Sequence, residues 1–192
     1  MQVGGITPVP TWDYEWDYTK GLLNTDGWTR TQNGTGATTS AIDSGGYMRE
    51  VSNNNNYNIF TWPITYSKCV AEFDVRYDNN QNVILLHAPG NGTYNLGVRI
   101  QFTTSYKGIY LGSTVDTLIY PFDTYPTRVK VKMVINENIG QIYVDDVLIL
   151  NNIDTTDSAL ADCTSAYISL RGGGSASRTN RIYGIKMKFG RI

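Results

Sequence analysis

The chain holds 192 residues at a formal net charge of -1, with 17% charged and 41% hydrophobic residues. That length suits one domain with a full core, and the near-neutral balance argues against nucleic acid or an acidic membrane surface as partner. Fourteen Tyr and 19 Gly favour short strands joined by tight turns, and no apolar run approaches the ~20 residues that span a bilayer as a helix.

In chain order, residues 1–10, with Gly4, Gly5, Pro8 and Pro10, read as an extended arm, and 11–192 as one domain. The opening MQVGGITPVPTW has neither a basic n-region nor an apolar h-region, so no secretory signal is expected. Synthesis in a cytoplasm, then work outside the cell as part of a virion or surface assembly, is the expectation. From 12 to 18, Trp12, Tyr14, Trp16 and Tyr18 alternate with Asp13, Glu15 and Asp17, which predicts a strand. Its aromatic face is expected to pack on the core or a neighbouring subunit in preference to stacking on a sugar.

Asn24-Thr25-Asp26-Gly27 is a turn. The Thr-, Gly- and Asn-rich stretch 30–44 is expected to hold one short strand. Strands follow at 46–52 and 57–62, joined by four Asn at 53–56, a residue that tolerates turn geometry. Others are predicted at 68–77, 82–88, 94–103, 106–111, 164–171 and 181–189, with a single helical turn at 157–161.

Between them, Val129, Val131, Met133 and Ile135 alternate with Lys130, Lys132 and Val134, the period of a half-buried strand. Asn138-Ile139-Gly140 supplies a turn, and a β-rich run from 141 to 150 leads back along the first strand. This hairpin, with Tyr143-Val144-Asp145-Asp146, resembles the late hairpin of laminin-G-like and concanavalin A-like jelly rolls. Those domains carry Tyr-Val-Asp-Gly there, so Asp146 is a departure that changes the turn and not the fold. Ala71-Glu72-Phe73-Asp74-Val75-Arg76 adds a Glu-Phe-Asp-Val strand similar to theirs. The resemblance spans about 12–190 and implies an all-β, two-sheet antiparallel sandwich. Some twelve short strands without a repeat fit it better than a propeller.

The Glu-x-Asp strand also resembles that of jelly-roll glucanases, which would make Glu72 the nucleophile and Asp74 its helper. Retaining hydrolysis needs a second carboxylic acid about 5 Å away. Arg76 stands in that place, and a guanidinium has no proton to give near neutral pH. Met48-Arg49-Glu50, His87 and Tyr110 follow an order similar to jelly-roll polysaccharide lyases, where Arg49 would neutralise a uronate and His87 with Tyr110 would move the proton. The spacing departs from that pattern, and no catalytic residue is assigned. Cys69 and Cys163 are expected as buried thiols. No metal site is assigned; Asp26, Asp78, Asn79, Asp145 and Asp146 are the loop oxygens open to a structural calcium, without EF-hand spacing.

Phase gives a polar sheet surface, with Glu72, Asp74 and Arg76 on one strand and Asn95, Arg99 and Gln101 on another. Concanavalin A-like modules often bind glycan on such a sheet. The resemblance therefore implies a non-catalytic recognition or structural module that engages glycans as a homo-oligomer or among virion proteins. Arg76, Arg99 and Gln101 would bond hydroxyls or a carboxylate, and Trp62 or Tyr110 would stack. Arg76 and Arg99 can meet only if their strands share a sheet. A jelly-roll lyase, or an architectural subunit making protein contacts alone, are the competing readings.

Overall fold

The structure, a computed structural model, describes residues 11–33, 39–52, 57–63, 68–77, 81–87, 97–102, 107–112, 116–122, 128–136, 139–154, 165–172 and 178–190. Fifteen strands run through them: β1 (Tyr14–Asp17), β2 (Thr29–Asn33), β3 (Thr39–Asp43), β4 (Tyr47–Ser52), β5 (Tyr57–Pro63), β6 (Lys68–Tyr77), β7 (Gln81–His87), β8 (Gly97–Phe102), β9 (Lys107–Gly112), β10 (Asp116–Pro121), β11 (Val129–Asn136), β12 (Ile139–Val144), β13 (Val147–Asp154), β14 (Ser165–Gly172) and β15 (Arg178–Phe189). All pairs are antiparallel, in an eight-stranded sheet ordered β13-β12-β11-β6-β15-β4-β3, with β1 also on β15, and a seven-stranded sheet ordered β10-β9-β8-β7-β14-β5-β2. Two 3-10 turns, Tyr18–Lys20 and Leu23–Thr25, are the helical pieces among the described residues.

Alternation decides which face is buried. Ala71, Phe73 and Val75 on β6 and Val129, Val131 and Met133 on β11 are at most 2% exposed, while Glu72, Asp74, Lys130 and Lys132 point the other way. Phe60 of β5 and Ile109 of β9 meet them from the opposite sheet in one cluster. Each buried side chain of this size contributes roughly 1.5–3 kcal/mol, so the layer between the sheets is the stabilising element.

On β15 the buried residues are Asn180 and Ile182, then Ile185 and Met187, a change from even to odd positions. A bulge causes it: Ile182 lies opposite Val75 and Gly184 opposite Asp74, leaving Tyr183 as an extra residue. The strand is long enough to take β4 along Arg178–Ile182 and β1 along Gly184–Met187 on the same edge.

The late hairpin differs from expectation in its second half. The 141–150 run is two strands, β12 and β13, closed by a two-residue turn at Asp145 and Asp146 with φ of 48° and 65°. Left-handed backbone at both central positions is the hairpin turn whose twist matches its strands. The 30–44 stretch likewise holds two strands in different sheets, and β10 arises where no strand was expected. The arm at 1–10, the Asn run at 53–56, the helical turn at 157–161 and Cys163 lie outside the described residues.

Candidate functional site

The two sheets divide the expected glycan-contact residues. Glu72, Asp74 and Arg76 lie on β6 and face outward from the eight-stranded sheet, whereas Arg99 and Gln101 lie on β8 of the seven-stranded sheet. Outer faces of two packed layers look in opposite directions. Arg76 and Arg99 therefore do not meet, and the expectation that both hold one ligand group is corrected.

On the eight-stranded face, Asp74 of β6 is already engaged. Arg128 donates from Nε and Nη2 to both oxygens of Asp74, at 2.7 and 2.5 Å, and its guanidinium lies 4.0 Å from the centre of the Tyr183 ring. Asp74 raises the Arg128 pKa further, first through that bond. Glu72 sits in register between Lys132 of β11 and Lys186 of β15. A carboxylate locked bidentately and another flanked by cations do not make an acid and nucleophile pair, and position 76 supplies no third carboxyl. The same face carries Tyr47, whose ring lies 5.3 Å from Tyr183, and Arg181, 5.4 Å from the Tyr47 ring centre.

On the seven-stranded sheet, register does the placing. Position 99 lies opposite Tyr110 and Ile84, and position 101 opposite Gly108 and position 82. Ile109 belongs to the core, so the pleat puts positions 99, 101, 108 and 110 on the outer face. Positions 82 and 171 continue that row as Asn and Arg, position 57 as Tyr, and position 33 on the edge strand β2 ends it as Asn. Tyr110 is only 6% exposed, so it walls this face and offers no open ring for stacking.

Trp62 is a further correction. It shares the phase of Asn58 and Phe60, packs on the core, and lies 4.4 Å from the Tyr14 ring and 5.8 Å from that of Trp28. Gly27, at φ 89°, lets the turn close over it, since a Cβ there would meet the indole at 2.7 Å. Tyr14 bonds Asp26 at 2.8 Å and accepts from Trp28 Nε1 at 2.8 Å; burial, then the Asp26 bond, pushes its phenol pKa upward. Trp16 is 2% exposed, with Nε1 donating to the Gly21 carbonyl at 3.2 Å. Of the four alternating aromatics, Tyr14 and Trp16 on β1 thus pack on the core, whereas Tyr18 lies in the 3-10 turn and is 42% exposed.

The lyase triplet is dispersed. Arg49 is on the outer face of β4 in one sheet, Tyr110 on the outer face of β9 in the other, and position 87 on β7 shares the inward phase of position 83. Glu50, beside Arg49, is fully buried between the sheets and accepts from Ser40 Oγ. Burial pushes its pKa up to about 7 against the opposing pull of Ser40 and of Arg30 from β2. Its phase with Met48 on β4 was the sequence clue that Glu50 is interior. Among the described residues no three His, Cys, Asp or Glu side chains converge as a metal site. Of the loop oxygens, Asp26 takes the Tyr14 hydroxyl, Asp145 the Lys130 N–H and Asp146 the Lys130 and Lys132 ammoniums, while Asp78 and Asn79 lie outside the described residues.

No protein-family model matches the sequence, and no curated protein does. Solved structures do. A sialidase aligns at TM-score 0.64 and 13% identity over 92% of this chain, which corresponds to 18% of the sialidase. A carbohydrate esterase of a Shiga toxin-encoding bacteriophage aligns at TM-score 0.59 and 12% identity over 94% of this chain and 99% of its own. The carbohydrate recognition domain of Emp46p aligns at TM-score 0.57 and 13% identity, over 95% and 100%. At such identities the likeness is one of fold, and in fold the chain is a concanavalin A-like, galectin-like jelly roll.

Proposed function

We propose that the protein is a non-catalytic glycan-recognition module whose site is the outer face of the seven-stranded sheet, around Arg99, Gln101 and Asn82. The register of β7, β8 and β9 carries this reading. It sets positions 99, 101 and 82, an Arg, a Gln and an Asn, side by side on neighbouring strands, bounded at β9 by Gly108, over which Leu118 and the Tyr120 carbonyl of β10 close. Amides and guanidinium are the groups that satisfy sugar hydroxyls, and lectin-like neighbours agree with a saccharide ligand. Single sugar sites bind weakly, so display in several copies, on a virion or cell surface, would raise avidity roughly 10²-fold or more. Light scattering of the full chain should therefore give an oligomer; a strict monomer counts against display through self-assembly.

The test is a glycan array probed with the intact protein, beside reducing-end and unsaturated-product assays on β-glucans and polyuronates. Retention of a defined glycan without turnover is the expected result. Sustained turnover that disappears in Glu72→Gln, or in Tyr110→Phe, overturns it.

A further inference from the structure

A second surface of the molecule has its own chemistry. In the eight-stranded sheet Arg49 of β4 lies directly opposite Arg181 of β15, and Arg181 lies directly opposite Arg76 of β6. All three are out of phase with the buried Met48, Ile182 and Val75, so they share the outer face. Neighbouring strands are about 4.8 Å apart, which makes this a straight row roughly 10 Å long across the strands. Like charges placed opposite one another destabilise a sheet, and here two such contacts occur in succession in a chain whose net charge is -1. Asp43, held by the Gly45 N–H at 3.0 Å, is one anion that feels Arg49 and Arg181.

The surroundings are built rather than incidental. One side of the row is bordered by Tyr47 and Tyr183, with Arg181 over the first ring and Arg128 over the second. Tyr183 reaches that position because of the β15 bulge, and bulges re-aim side chains beside functional surfaces. On the other side the row is bordered by Val51 and Thr179, opposite each other in register, which rise less than arginine does.

We infer that the Arg49–Arg181–Arg76 row, with Tyr47 and Tyr183 at its edge, is a binding site for a linear acidic polysaccharide carrying carboxylate or sulfate groups. A guanidinium fork takes either group by two parallel hydrogen bonds, and a row at strand spacing suits an extended chain laid across the sheet. The choice of a saccharide as carrier of the anion rests on the lectin-like reading; the face does not, being the opposite one.

Calorimetry or biolayer interferometry of the intact protein would use alginate for carboxylate, dextran sulfate for sulfate and laminarin as neutral control. Wild type should bind at least one polyanion, with affinity that falls as salt rises. Arg49→Gln and Arg76→Gln should each weaken it roughly 10-fold or more, with the fold kept by circular dichroism. Lys20→Gln, a charge removed outside the row, should bind as wild type does. If a Gln variant is unfolded by circular dichroism, Arg49→Lys, which keeps the charge and loses the fork, should still bind more weakly. Absence of polyanion binding in wild type, folded row variants that bind unchanged, or equal weakening in Lys20→Gln each overturn the inference. A neutral glycan still retained in those cases leaves the seven-stranded site standing.

Discussion

Glu50 has the least favourable surroundings of any described carboxyl, being fully buried with Oε1 lacking a hydrogen-bond partner among the described residues. Its pKa rises from 4.5 to about 7, chiefly by burial. In the unfolded chain the carboxyl gives up its proton near its ordinary pKa; in the folded chain it keeps it to higher pH. The unfolded state therefore binds fewer protons across that window, and stability falls as pH rises through it. The loss should be on the order of 3 kcal/mol between about pH 4.5 and beyond about pH 7. Urea unfolding of Glu50→Gln should give a nearly flat profile there, with the variant more stable than wild type at about pH 8. A wild type no less stable at the upper end would refute the assignment. Tyr14 is the complementary case, a buried hydroxyl that is fully used. Tyr14→Phe strands Asp26 and the Trp28 indole N–H, and should cost about 1–3 kcal/mol, read as a lower urea midpoint with unchanged slope.

At the scale of elements, the late hairpin was readable because β11 buries one face and solvates the other, so its period survives in the sequence. The strand break inside 141–150 was harder to read, since Asp145-Asp146 lacks the glycine that usually marks such a turn. Asp145 holds the corner: its N–H donates to the Lys130 carbonyl and its carboxylate accepts from the Lys130 N–H, both at 2.9 Å. Asp146, at φ 65°, has weaker compensation, an ammonium of Lys130 at 3.3 Å across an exposed surface. Glycine enters left-handed backbone without a Cβ penalty. Asp146→Gly should therefore raise stability by about 0.5 kcal/mol, the backbone gain exceeding a surface ion pair worth roughly 0.2–1 kcal/mol at best. A fall in melting temperature would mean that the pair outweighs the backbone. The β15 bulge was invisible for a related reason: a bulge changes the period mid-strand, and Ile182, Ile185 and Met187 look irregular until Tyr183 is taken out of the ladder. β10 was missed because its apolar run is only Leu118-Ile119-Tyr120, flanked by Asp116, Thr117 and Pro121.

At the scale of the molecule, phase told which residues face outward but not which sheet each strand joins. That is why Arg76, Arg99 and Gln101 could be placed out of phase with the core while Arg76 was wrongly grouped on one sheet with the other two. Long-range pairing, β6 beside β15 and β7 beside β14, has no local signature. The same gap concealed the row formed by Arg49, Arg76 and Arg181, which comes from three separate parts of the chain. Trp62 failed as a stacking ring because an indole at a strand end reads the same whether it covers the core or faces solvent. The proposed function assigns recognition to the seven-stranded face. Its most direct test is calorimetric titration of the neutral glycan returned by the array against wild type, Arg99→Ala, Gln101→Ala and Arg76→Ala. Loss of a charge-assisted contact, worth about 1.5–3 kcal/mol, should weaken Arg99→Ala roughly 10- to 100-fold, Gln101→Ala should weaken by less, and Arg76→Ala should bind as wild type does. Folded Arg99→Ala and Gln101→Ala proteins with wild-type affinity, or a loss confined to Arg76→Ala, would contradict it.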